Sequence, residues 1–464
     1  MTLSRNIIFF IVATIPILFA AVQPWIWSFY TVCIFAAFLI LLWQNRDKQI
    51  WIQSKIFFVF LGLFFAVTLF QSLPLPFSIL SFLSPFRHKV LTQSSAIINS
   101  SVAWNTLSYS SRSSLAWWTF LLSLLMFFLV FRKTFTSSRY LKLLIYILLG
   151  LAALEALYGL IQALVPTLGV LWVDYIKSYL GDARGTYINR NHFAGFIEMI
   201  FPLILGYTLA LSNWHEKLNI KTLMSTDRPN FQFFLTICLA VMLLALVFSK
   251  SRAGIAGGVL GFLIFVCLVH SGSKGLPRSY WVIISIIIGM VTFYSFSIGV
   301  DPVLERFLMI NKDTSRLDLW RDSMVIVKDH PIGTGLATFK QVFSVYNTHD
   351  YGSRTIYYAH NDYVQLLVET GWIGFATLVT GFYIFLIRSF RRVKQIKLQD
   401  DPFRFFMAIG ALSGLVSIAF HSFFDFNLQM PANCVYFVML MGIVYNCAWR
   451  DVKAHSVLRD SEIS

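Results

Sequence analysis

His360 stands in Tyr357-Tyr358-Ala359-His360-Asn361-Asp362-Tyr363, inside the longest polar run of the chain, Asp301 to Gly371. An imidazole changes charge near neutral pH, so His360 could orient or deprotonate a hydroxyl. The helix-like run Tyr363 to Glu369, ended by Gly371, puts it at a helix N-terminus, where the dipole favours the neutral, base-competent ring. A histidine that merely caps the helix is the commoner case, and pattern alone does not separate the two. The second set is cationic: Arg184, Arg190, Lys250 and Arg252 fall beside apolar runs, at ends where basic residues are usually thinned out. A guanidinium there can grip an anion bidentately and stays charged at any pH. Snorkelling or binding of ordinary lipid head groups is the bland alternative.

The elements that must position these groups are membrane helices. The 464 residues are 57% hydrophobic, 17% aromatic and only 13% charged, too few charges to cover a water-facing surface, where about 25% is usual. The net charge of +15 would suit nucleic acid, but Lys and Arg cluster in short loops between apolar runs, which sets membrane orientation instead. The expected fold is an all-α, polytopic membrane helical bundle of about 12 transmembrane helices, with a long periplasmic loop containing short helices. Helices 1–9 occupy 1–299, with periplasmic loops 73–114 and 165–191. The large loop is 300–371, helices 10–12 are 372–449, and 450–464 is a cytoplasmic tail.

Within that frame, the apolar run Ile7 to Trp43 would reach roughly 55 Å as one helix, against a ~30 Å hydrocarbon core. It reads as a hairpin turning at Gln23-Pro24 rather than as a cleaved leader. Phe231 to His270 is a second hairpin, turning at Ser249 to Arg252, and Gly254, Gly257, Gly258 and Gly261 give one arm a smooth face. A ninth span runs from about Tyr280 to Gly299. Both termini fall inside, and the polar site faces outward. Glu155, Glu198, His421 and Asp425 are costly in lipid and either face a cavity or pair with a neighbour. The five cysteines show no ligand spacing, so neither disulfides nor a metal is expected. In an outer-leaflet cavity the obvious anion for the arginines is a diphosphate on a lipid carrier.

Four blocks together resemble the O-antigen ligase/polymerase superfamily, which includes bacterial protein O-oligosaccharyltransferases. They are Asn189-Arg190-Asn191-His192-Phe193-Ala194-Gly195; Ser251-Arg252-Ala253-Gly254; Arg316-Leu317-Asp318-Leu319-Trp320 with His330-Pro331-Ile332-Gly333-Thr334-Gly335; and Ala359-His360-Asn361-Asp362-Tyr363 with Glu369-Thr370-Gly371. The resemblance covers roughly Gly185 to the twelfth span. It implies a multi-pass glycosyltransferase of the bacterial inner membrane, active on the periplasmic side. Such an enzyme passes a glycan from undecaprenyl diphosphate to an acceptor hydroxyl on lipid A–core, a growing polysaccharide or a protein, with lipid A–core favoured. Inversion without metal, nucleotide or other cofactor is implied as well. By motif, Arg190 and Arg252, with Lys250 beside them, would bind the diphosphate and stabilise its leaving charge. His360 would activate or position the acceptor, with Asn361 and Tyr363. Asn191, Arg184, Arg316, Glu198, His421 and Asp425 form a second tier. The alternative from another class is a multi-span transporter or lipid-linked glycan flippase. Against it stand the lack of a visible repeat and the concentration of polar residues at one membrane face.

Overall fold

The computed structural model describes residues 2–45, 55–99, 103–171, 179–211, 227–272, 315–349 and 355–449, with isolated positions between 284 and 293. Most of the expected ninth span, the start of the large loop and the expected tail 450–464 lie outside the described residues.

The chain is a helical membrane bundle. The helices are α1 (Thr2–Thr14), α2 (Pro24–Gln44), α3 (Lys55–Phe70), α4 (Phe77–Leu83), α5 (Pro85–Ile97), α6 (Ser111–Thr134), α7 (Ser138–Leu164) and α8 (Arg190–Ala210). After them come α9 (Asp227–Phe248), α10 (Arg252–Gly272), α11 (Ser315–Asp329), α12 (Phe339–Tyr346), α13 (Asp362–Val393), α14 (Pro402–His421) and α15 (Pro431–Val444). Nine helices among the described residues are long and apolar enough to cross a membrane, and Thr2–Thr14 and Ile56–Phe70 are shorter apolar helices. Among the described residues strand is confined to one antiparallel pair, Leu75–Pro76 with Trp104–Asn105.

Helix boundaries follow local chemistry. Pro24 takes the first position of α2, where its missing N–H costs nothing. Ser110 caps α6 and Asp401 caps α14, each with its side chain. α9 and α10 form the second hairpin, broken at Ser249 to Ser251, with Lys250 in the left-handed region (φ 53°).

At the centre lies α8, 94% buried over its apolar window. It packs against α14 so closely that a Cβ at Gly414 would come within 2.4 Å of the Met199 carbonyl oxygen. The glycine face of α10 turns towards the same pair: a Cβ at Gly257 would meet Glu198 Oε2 at 2.4 Å. Small residues let backbones approach where lipid supplies no hydrophobic drive, and here they also leave room for a buried carboxylate.

One end of the bundle carries the short helices. The α13 helix breaks at Gly371 (φ 66°, ψ −176°), which separates Asp362–Thr370 from the long apolar arm beyond. The His330-to-Gly335 segment wraps this break. Trp372 N–H donates to the Pro331 carbonyl at 3.0 Å and Gly335 N–H to the Glu369 carbonyl at 2.9 Å. Gln71 Nε2 donates to the Ile332 carbonyl at 2.6 Å, which ties the end of α3 to the same turn.

Candidate active site

Two polar clusters meet at the N-terminal end of α8. The first gathers around Asp182. Arg190, the first residue of α8, forms an ion pair with Asp182 Oδ2, and Lys250 Nζ reaches Asp182 Oδ1 at 2.9 Å. Lys250 Nζ also donates to the Gly181 carbonyl at 2.9 Å, and Ala183 N–H bonds the Phe248 carbonyl at 2.9 Å. The hairpin tip and the 179–186 loop are thereby fastened together. The Arg190 guanidinium lies 5.0 Å from the Tyr179 ring centroid, within cation–π range. Burial and the Asp425 charge push the Tyr179 hydroxyl up. Arg184 is fully buried; burial lowers it, and the Asp182 charge opposes that. Arg252 opens α10 two residues beyond Lys250 and is half-buried.

Glu155, in the span α7, holds the loop from below. Its carboxylate accepts the Thr186 N–H at 2.8 Å and the Thr186 hydroxyl at 2.7 Å. Gln162 Nε2 donates to the Gly185 carbonyl at 3.0 Å. These two in-membrane polar side chains thus satisfy backbone groups that would otherwise be orphaned.

The second cluster gathers around Asp425, in the turn between α14 and α15. His360 Nδ1 lies 3.3 Å from Asp425 Oδ1. A carboxylate only accepts, so this pairing places the hydrogen on Nδ1 and leaves Nε2 with its lone pair when the ring is neutral. Asn191 Nδ2 donates to Asp425 Oδ2, Phe426 N–H to Oδ1 at 2.9 Å, and Arg316 Nη2 stands 4.0 Å away. Burial alone would raise Asp425, but the His360 hydrogen bond, with the His360, His192 and Arg316 charges, outweighs it and holds the carboxyl well below the usual carboxylate range. Arg316 Nη1 also donates to the Phe424 carbonyl at 2.5 Å, so α11 is clamped onto the same turn.

His360 itself is in the left-handed region (φ 49°), uncommon for a residue with a Cβ and a feature of functional sites. Phe426 supports it from behind: its ring stacks on Tyr358 at 4.2 Å and meets the His360 and His192 rings edge-on at 4.7 and 4.6 Å.

Other expected residues have different work. Asn361 is the cap of α13, its side-chain oxygen accepting from Tyr363 and Val364 N–H at 3.0 and 3.1 Å. The Tyr363 hydroxyl donates to the Ala419 carbonyl at 2.8 Å, and its ring packs on Phe423. Both secure the α13 start rather than aim into the cluster. His421 pairs with Glu198 at 2.9 Å, both completely buried; Asp425 turns instead to His360. His421 still matters to Asp425, because its carbonyl accepts the Asp425 N–H at 3.1 Å.

The residue that sequence reading missed is Asp182. Its one signal is a lone acid eight residues before Arg190 in Gly181-Asp182-Ala183-Arg184. Among the described residues no group of three or more His, Cys, Asp or Glu side chains could hold a metal ion.

Residues 237–379 match the family model of the O-antigen ligases. This agrees with the O-antigen ligase/polymerase superfamily, and the family implies a membrane ligase or glycosyltransferase activity. The matched stretch contains Lys250, Arg252, Arg316 and His360. It begins after Asp182 and Arg190 and ends before Asp425, so the carboxylates that hold its cations and its histidine come from outside it. No curated protein matches the chain.

Proposed function

We propose that the protein transfers a glycan from undecaprenyl diphosphate to an acceptor hydroxyl, at a site facing the periplasm from the bacterial inner membrane. The observation that carries this reading is the pairing of an imidazole–carboxylate unit with a seat of cations on consecutive residues of one helix. Asn191 holds Asp425, which holds His360, and Arg190 shares Asp182 with Lys250.

In the reaction, the acceptor oxygen attacks the anomeric carbon from the face opposite the diphosphate, and the bond from that carbon to the diphosphate oxygen breaks with inversion. His360 Nε2 takes the acceptor's proton, and Asp425 stabilises the imidazolium that results. Charge builds on the departing diphosphate oxygen, where Arg190, Lys250 and Arg252 stabilise it. A phosphate chain on a membrane-embedded lipid suits cations at helix ends. Lipid A–core is the favoured acceptor; a growing polysaccharide or a protein hydroxyl presents the same nucleophile.

The test is transfer from an undecaprenyl-diphosphate donor in membranes, with lipid A–core, a polysaccharide and a protein as acceptors. Wild type is compared with His360→Ala and Arg252→Ala at matched membrane levels. Loss of transfer in both variants supports the assignment, and the acceptor modified by wild type identifies the reaction. Full activity in both sinks the assigned site; absence of transfer by wild type to every acceptor points to transport of the lipid-linked glycan.

A further inference from the structure

We infer that Asp182 is an internal anion that occupies the diphosphate seat between turnovers, and that its fixed charge drives release of the spent carrier. The inference rests on reading Arg190 and Lys250 as that seat.

Asp182 is 5% exposed, and both its carboxylate oxygens are engaged, Oδ2 by Arg190 and Oδ1 by Lys250. Two cations held this close, one 4% exposed, would repel each other and lose hydration if nothing lay between them. A carboxylate bridging an ammonium and a guanidinium offers them what a phosphate would offer: two acceptor oxygens on one centre. Asp182 sits on a turn whose neighbours Tyr179 (φ 66°), Gly181 (φ 75°) and Gly185 (φ 56°) are all left-handed. The turn is pinned to the hairpin by the Ala183 N–H bond to the Phe248 carbonyl at 2.9 Å, which involves neither the carboxylate nor its two cations. The side chain can therefore yield its partners to a ligand while the backbone stays attached.

The charges give the exchange a direction. A glycosylated lipid diphosphate is a diester with one negative charge on each phosphorus. When the glycan leaves, the carrier departs as a monoester whose terminal phosphate gains further negative charge. A seat made only of cations would bind the product more tightly than the substrate and stall. A carboxylate beside it opposes the more charged species more strongly, and once the product shifts, Asp182 takes back its cations. The expected signature is opposite to that of a residue that merely holds Arg190 in place.

The experiment uses the full-length protein in lipid nanodiscs. It measures binding of inorganic pyrophosphate by titration calorimetry, and donor KM and kcat for transfer, for wild type, Asp182→Asn, Asp182→Ser, Arg190→Ala and Lys250→Ala. Expected for both Asp182 variants is pyrophosphate binding roughly tenfold tighter, a lower donor KM, and a kcat reduced several-fold through slow release. Weaker or unchanged pyrophosphate binding, or a raised KM, in the Asp182 variants overturns the inference. If Arg190→Ala and Lys250→Ala also leave pyrophosphate binding unchanged, the seat itself is wrong and the proposed function fails with it. If they weaken binding while the Asp182 variants do not tighten it, only the role of Asp182 falls.

Discussion

Replacing Asp425 by Asn tests the proposed role of His360 as base, because the amide keeps the shape of the carboxylate and removes its charge. Its remaining oxygen, placed as Oδ1, can still accept from Phe426 N–H and His360 Nδ1–H. Asn191, which donates to Oδ2, can flip its own amide to accept from the new NH2, so the turn should hold. What is lost is the attraction between the carboxylate and the imidazolium that forms as His360 takes the proton. At 3.3 Å two opposite unit charges attract by about 5 kcal/mol at an effective dielectric of about 20, and by about 2.5 kcal/mol at about 40. The His360 side chain is 35% exposed, so the lower figure applies, and it corresponds to roughly a 70-fold fall in kcat. If the amide turns its nitrogen to His360 the loss is larger, because Nδ1–H then has no acceptor. Single-turnover transfer from a saturating lipid-linked donor reads the chemical step without product release. The same assay on His360→Ala and on the double variant completes a cycle. Groups that act as one unit are not additive, so the double variant should be no slower than His360→Ala alone. A rate for Asp425→Asn within twofold of wild type, or a double variant slowed by the product of the single effects, would refute the pairing.

Gly371→Ala should destabilise the protein by about 3 kcal/mol or more, since its φ of 66° disfavours a side chain and the new Cβ would lie 2.3 Å from the Ile332 carbonyl carbon; a thermal midpoint within about 1 °C of wild type (about 1 kcal/mol at this chain length) would contradict this. Burial takes His330 down to about 4, against a partly opposing Asp329 charge. The folded state then binds fewer protons than the unfolded one between about 4 and 6.5. Stability from this residue is complete above about pH 6.5 and is lost as pH falls to about 4, a change of roughly 3 kcal/mol, so melting curves over that window should flatten in His330→Gln. A slope that persists in that variant assigns the effect elsewhere. Gly257→Ala forces a methyl group against Glu198 Oε2 and should cost about 1–3 kcal/mol; unchanged resistance to denaturation would mean the α8–α10 contact is looser than the geometry says.

How far the sequence spoke depended on whether a feature was local. The Gly371 break and the turn from Ser249 to Arg252 were legible, because each is written by residues adjacent in the chain: a glycine ending a helix-like run, and polar residues interrupting an apolar one. The intramembrane acids were legible only as costs. Nothing local says that Glu198 belongs to His421, 223 residues away, or that Asp425 belongs to His360 rather than to His421 four residues before it. Asn361 and Tyr363 share a block with His360 and invite a shared role, yet a cap position and a ring against Phe423 claim them. Asp182 was invisible for a related reason. An acid in a loop is ordinary until the hairpin tip brings Lys250 to it.

The adjacency of Arg190 and Asn191 explains why one helix end can serve both halves of the site. Successive residues on a helix point about 100° apart, so two neighbours in the first turn can reach different walls of the candidate site. Arg190 goes to the 179–186 loop and the hairpin tip, while Asn191 goes to the turn after α14. Each wall then adds its own piece, Lys250 on one side and His360 on the other. The relative position of the proposed anion seat and the proposed base is thus set by a helix that is 94% buried and cannot shift without disturbing its close contact with α14. The matched family region supplies Lys250, Arg252 and His360, but the part that fixes the distance between them precedes it. A transfer reaction needs that distance held to a fraction of an ångström, and a buried, glycine-packed helix is the element of this chain best able to hold it.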